Sequence, residues 1–227
     1  MNASNPTVDL NGTPVLLSAG MTDEVADGPR AQEFYIAIGL FVHEVIAADG
    51  RIVFGGHPSI TPLVREAVSR LGKENVVDLY QLRRFEGSAP AEMGDDRVFG
   101  RIHWIESAAD DIDAELGQMR DQMAEAARAA VFLGGKTADH YGKTPGIRDE
   151  YQRFIEKRPD GPVYLVGLLG GETLNLIREL EAGAQPAGNG LSEEERRVIH
   201  HSTSIDLIVS LIIEDLARKA AENGKQA

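Results

Sequence analysis

The sequence predicts an α/β fold: three layers, with a mainly parallel sheet covered by helices on both faces. Three observations lead there. Short apolar runs alternate along the chain with amphipathic segments of helical period. Three of those runs end in paired glycines, at Gly55-Gly56, Gly134-Gly135 and Gly170-Gly171. The runs lack a polar face, as strands of a parallel sheet buried on both sides do.

In chain order, residues 1–13 are polar and read as a flexible tail. Pro14-Val-Leu-Leu-Ser-Ala-Gly20 reads as the first strand, and Phe34, Ile38, Phe41, Val42, Val45 and Ile46 mark a helix ending near Gly50. Arg51-Ile-Val-Phe-Gly-Gly56 is a second strand. It runs through His57-Pro-Ser-Ile-Thr-Pro62 into a helix that Ser59 or Thr61 can cap. Val76–Tyr80 is a third strand, followed by a Gly/Pro/Glu-rich surface excursion to Gly100, a short strand at Arg101–Ile105 and a helix from Asp110 to Ala129.

Val131-Phe-Leu-Gly-Gly135 is the next strand. A polar loop leads to Pro145 and a helix marked by Ile147, Tyr151, Phe154 and Ile155, which places Gly146, Arg148 and Glu150 at its N-terminus. Pro162–Gly167 and the turn Leu168-Leu-Gly-Gly-Glu172 complete the alternation, so the domain extends over 14–182. A Gly/Ala/Pro linker at 183–191 precedes a helix over 192–222, opened by the Ser192-x-x-Glu195 capping box. Its apolar residues Ile205 to Ile213 predict packing on the domain or on a second subunit, hence a homo-oligomer. The arrangement is Rossmann-like, and its ligand is expected beyond the carboxyl ends of the strands, where the three Gly-Gly ends converge.

Composition narrows the chemistry. The 227 residues are 42% hydrophobic, enough for a full core, with a formal net charge of −13. That charge opposes a nucleic-acid backbone while leaving room for a small anion held by a few local cations. No run is long enough for a membrane span and no signal pattern is present, so a cytoplasmic location is expected. Without cysteine, disulfides and thiol catalysis are excluded. No cofactor is expected and no metal site either, because the adjacent His200 and His201 point different ways on a helix.

The candidate ligand-binding residues are Ser18 on the first strand end; Gly55, Gly56, His57, Ser59 and Thr61 on the second; Gly134, Gly135, Gly146 and Arg148 around the βα loop; and Gly170, Gly171 and Glu172 on the last. A glycine-rich βα connection alone explains the glycine pairs as well as phosphate binding does. His57 suits a hydrogen bond to phosphate or ribose, or simply fixes its turn, and nothing local activates Ser18 as a nucleophile.

Leu17-Ser-Ala, Val53-Phe-Gly-Gly-His-Pro-Ser-Ile-Thr-Pro62, Gln118-Met-Arg-Asp-Gln-Met123, Val131–Gly135 with Gly146-Ile-Arg-Asp-Glu150, and Val166-Gly-Leu-Leu-Gly-Gly171 together resemble the SLOG superfamily of Smf/DprA and LOG proteins. The nearest subgroup is that of prokaryotic conflict and nucleotide-signalling systems. This resemblance implies a sensor domain for a nucleotide-derived small molecule, NAD- or ADP-ribose-like, in antiviral defence or stress signalling. The alternative it implies is a LOG-like phosphoribohydrolase, in which Arg120 and Glu150 form the catalytic pair that cleaves an N-glycosidic bond. By themselves, Arg120 reads as a solvated charge and Glu150 as a first-turn carboxylate. Leu133 stands where the LOG motif has proline and Ile147 where it has threonine, and a polar insertion separates Gly135 from Gly146. These departures bear on hydrolase chemistry more than on nucleotide binding.

Overall fold

Every residue of β3 (Val77–Leu82) and β5 (Ala129–Gly134) is buried, so neither strand has a solvent face. That is the signature of a parallel sheet sandwiched between helices. The computed structural model describes residues 8–26, 28, 30–86, 99–106, 111–138, 144–183 and 188–224. Among them the chain runs β1 (Pro14–Gly20), α1 (Asp23–Ala26), α2 (Ala31–Ala47), β2 (Arg51–Phe54), α3 (Thr61–Leu71), β3, β4 (Arg101–Ile105), α4 (Ile112–Ala126) and β5. It continues through α5 (Gly146–Lys157), β6 (Val163–Val166), α6 (Gly171–Glu181), α7 (Glu193–His201) and α8 (Ile205–Gly224).

The described strands form one sheet in the order β4-β3-β2-β1-β5-β6, with every neighbouring pair parallel. The chain winds outward from β1 to β4, then returns to the other side of β1 with β5. The direction therefore reverses between β1 and β5, which pair over Val15↔Ala129 to Gly20↔Gly134. Crossover connections diverge at such a point and leave a crevice beyond the strand ends.

Strand alternation divides the core in two. Val15 and Leu17 of β1 pack with Phe34, Phe41 and Val45 of α2 and with Ile212 of α8, whereas Leu16 packs with Met123 of α4, Phe154 of α5 and Leu176 of α6. Ser18 continues the Leu16 face by the same two-residue period, toward α4 and α5.

Three boundaries differ from the sequence-based expectation. Residues 8–13 of the expected tail are anchored: Leu10 is fully buried, and its N–H and that of Gly12 donate to Ala48 O and Asp49 O at 2.7 and 2.8 Å. Residues 1–7 lie outside the described residues. The expected helix over 192–222 is two helices. Ser202-Thr203-Ser204 interrupts it, since Ser202 adopts an extended conformation and its hydroxyl accepts from Ser204 N–H at 3.0 Å; short hydroxyl side chains offer the backbone this alternative to a helix. The apolar face of α8 is covered within the chain, with Ile208, Val209, Ile212 and Leu216 buried in the α2-side core. Of the linker at 183–191, residues 184–187 lie outside the described residues; Asn189 Nδ2 donates to Val163 O at 2.6 Å and Leu191 is buried. Most of the surface excursion before Gly100, residues 87–98, also lies outside. No described helix is long and apolar enough to cross a membrane.

Candidate functional site

A crevice of about 580 Å³ opens beyond the carboxyl ends of β1, β2, β3 and β5. Ser18 to Gly20, Gly55 to His57, Gln81 and Leu82, and Gly135 with Lys136 supply its floor. Leu116, Met119 and Arg120 of α4 form one wall with Gly146, Ile147 and Glu150 of α5, and Phe85 stands at the rim. The sheet topology thus assembles residues from six separate sequence segments at the reversal point.

Paired glycines at the strand ends serve two different purposes. Gly56 borders the crevice with φ +66°, and a Cβ there would lie 1.8 Å from the Gln81 amide nitrogen, which donates to the carbonyls of Gly55 and Gly56 at 3.3 Å. A side chain at this position would meet both backbone strain and a committed neighbour. Gly134, Gly170 and Gly171 do not line the crevice. They form the junction between β1, β5 and α6, where a Cβ on Gly171 would lie 2.2 Å from Gly135 O. Thr173 Oγ1 donates to Gly134 O at 2.9 Å and Glu172 N–H to Gly135 O at 3.0 Å, closing that junction.

Arg120 and Glu150 meet at the centre of the wall. Arg120 Nη1 donates to Asp149 Oδ2 at 2.8 Å, and its Nε lies 3.7 Å from Glu150 Oε1. That Nε is buried and completes no hydrogen bond among the described residues, so one donor of the guanidinium is left over beside the crevice. Gly146 leaves room for this arrangement, since a Cβ on it would approach Arg120 Nη2 at 3.0 Å. The Ser18 hydroxyl faces the Glu150 carboxyl without completing a well-aligned bond.

Burial raises the pKa of Glu150, and the adjacent Asp149 charge adds to the rise; Arg120 and then Ser18 oppose it. A carboxyl whose folded value lies above its unfolded one contributes most below the unfolded pKa, and that contribution is lost as pH rises through the folded one. Glu150 therefore costs stability at neutral pH. Glu150→Gln is expected to raise the melting temperature at pH 7 and leave it unchanged near pH 4. Thermal denaturation across pH checks this; a variant less stable than wild type at pH 7 contradicts it.

His57 sits at the crevice mouth. Its Nδ1 accepts the Ser59 N–H at 3.2 Å, so the neutral ring carries its proton on Nε2. Burial and then the Lys136 charge hold its pKa below the ordinary value, which makes it a neutral donor rather than a cation near pH 7. Ser59 and Thr61 shape this turn instead of lining the crevice or capping α3: Thr61 Oγ1 donates to His57 O at 3.0 Å, and Ile60 occupies the N-cap.

Arg148 and Glu172 belong elsewhere. The Arg148 guanidinium bonds Glu172 through Nε and Glu179 at 2.9 and 2.7 Å, tying α5 to α6, and these two acidic groups raise its pKa further. Glu172 is buried there and also accepts from Asn175 Nδ2 at 2.9 Å. Gln81, Phe85, Lys136, Leu116 and Met119 line the crevice without having been singled out from the sequence. A glutamine near the end of a largely apolar run, and a lysine directly after Gly-Gly, were the available signals.

Comparison with known proteins places this architecture. The crystal structure of TM1055, a structural-genomics target, superposes with a TM-score of 0.56 at 16% identity, covering 88% of this chain and 98% of that one. The molybdenum cofactor carrier protein of Chlamydomonas reinhardtii superposes with a TM-score of 0.51 at 14% identity, covering 91% of this chain and 99% of that one. No curated protein sequence matches the chain significantly. The SLOG cluster3 family model matches residues 31–192, from α2 to the start of α7 and including all of the crevice's α4 and α5 walls; the chain belongs to the SLOG cluster3 family.

Proposed function

We propose that the crevice binds a nucleotide-derived small molecule, NAD- or ADP-ribose-like or a related nucleotide, and that the domain acts as a sensor in prokaryotic antiviral defence or stress signalling. The observation that carries this reading is the division of the crevice. Leu82, Phe85, Leu116, Met119 and Ile147 offer an apolar slot suited to a base, while Arg120, Lys136 and the first turn of α5 offer cationic and N–H donors suited to phosphate. Membership of the SLOG family supports it, as does the fold shared with a protein named as a cofactor carrier.

A second reading, cleavage of an N-glycosidic bond, is favoured by Glu150. A carboxyl held above the ordinary range beside an arginine suits proton donation to a departing base, with the guanidinium stabilising charge on the ribosyl phosphate. Calorimetric titration of the full chain with NAD, ADP-ribose and nucleoside monophosphates is expected to give saturable binding for at least one. Absence of binding across the panel overturns both readings. Release of free base, abolished by Glu150→Gln, selects the hydrolase; binding without release selects the sensor.

A further inference from the structure

On the outer side of β6 lies a hollow of about 360 Å³ that shares no lining residue with the crevice. It contains a second cluster of chemically active side chains. Glu181 ends α6, and His200 and His201 end α7. Successive helical residues point roughly 100° apart, which argues against one ion bridging adjacent histidines on an isolated helix. Here a third residue lies between them: Glu181 Oε1 is 2.7 Å from His201 Nε2 and 3.5 Å from His200 Nδ1. The two rings stand 6.0 Å apart at 85°, and one ligand atom from each of the three residues falls within 4.8 Å of the others.

We propose that Glu181, His200 and His201 form a binding site for a borderline divalent transition-metal ion such as Zn²⁺. Imidazole nitrogen and carboxylate oxygen bind Zn²⁺ at about 2.0–2.2 Å, so tetrahedral ligand atoms lie roughly 3.3 Å apart. The His200–Glu181 separation already matches, and the shorter His201–Glu181 contact is the hydrogen bond that an ion replaces. The side chains of Glu181 and His201 are 47% and 48% exposed, free to adjust, while His200 is 11% exposed and fixed. Two features fix it. The His200 carbonyl packs on Gly167, where a Cβ would lie 1.9 Å away, and the capping box of Ser192 and Glu195 sets the start of α7. Three protein ligands leave the fourth position open to water or an anion, with Arg196 and Arg197 at the border of the hollow.

The test uses the untagged full chain, stripped with chelator and titrated with Co²⁺. Saturable uptake of one ion with a tetrahedral-type absorption band, displaced by Zn²⁺, is expected, together with a higher melting temperature because the ion ties α6 to α7. Glu181→Gln and His200→Ala are each expected to weaken binding at least about tenfold, whereas His43→Ala, on α2, leaves it unchanged. Glu181 is half exposed, so Glu181→Gln keeps the test valid even where His200→Ala disturbs packing. No saturable uptake by the wild type, or equal affinity in Glu181→Gln, overturns the site.

Discussion

Arg120→Ala weakens binding of the nucleotide ligand about a hundredfold in calorimetric titration while costing the fold much less. The argument rests on what each side of the guanidinium does. Its Nη1 serves Asp149, which has a second cation: Arg153 Nε donates to Asp149 Oδ1 at 2.9 Å and Arg153 Nη1 to Asp121 at 2.7 Å. Removing Arg120 therefore leaves Asp149 neutralised. The Nε donor completes no hydrogen bond among the described residues; it lies 3.7 Å from Glu150 Oε1, too far to be satisfied by it, in the crevice wall. A hydrogen bond to a charged group contributes about 1.5–3 kcal/mol, and 2.7 kcal/mol corresponds to about a hundredfold in affinity. Glu150 then loses the charge that holds its pKa down, so the variant's carboxyl is protonated to still higher pH. Arg120→Lys keeps the charge but not the planar fork, and should fall between the two. Unchanged affinity in Arg120→Ala would mean that Lys136 or the first turn of α5 holds the anion instead.

Much of this site is visible in the sequence because its backbone requirements are local. Paired glycines after an apolar run announce a strand end that another group approaches closely, and the spacing of Ile147, Tyr151 and Phe154 puts Gly146 and Glu150 on a helix start. Sequence could not reveal which glycine pair faces a ligand and which faces another backbone. Gly134 and Gly171 turn inward because α6 starts directly against the β1–β5 pair, a consequence of strand order. Arg148, in the first turn of α5, reads from the sequence as a ligand-binding residue like its neighbours around the βα loop. It differs because α6 presents Glu172 and Glu179 on that side, a pairing between helices 24 and 31 residues away that no local pattern encodes. The same blindness hid Glu181 between two histidines. Gln81 and Phe85 reach the crevice only because β3 lies beside β2, so their role depends on the register of the sheet.

Asp215→Ala lowers the unfolding free energy by about 3–5 kcal/mol, read by urea denaturation, and does so without a separate early transition. Asp215 on α8 is 1% exposed and accepts three hydrogen bonds: from the Tyr164 hydroxyl at 2.8 Å, Gly190 N–H at 2.9 Å and Arg218 Nη2 at 3.0 Å. The alanine variant strands the phenol of fully buried Tyr164 and the Gly190 N–H, each at about 1–3 kcal/mol, while Arg218 turns to solvent. Tyr164→Phe removes only one donor and leaves the carboxylate two partners, so its cost is about 1 kcal/mol. A double-mutant cycle between the two positions should show coupling, since they share the bond that each substitution breaks. The bond links β6, the central layer, to the last helix, and α8 also fills the α2-side core with Ile208, Ile212 and Leu216. Were residues 189–224 an appendage to the domain, the loss would appear as a first, low-urea phase followed by an unshifted main transition. One transition moved as a whole to lower urea is what a core shared between α2, the sheet and α8 requires.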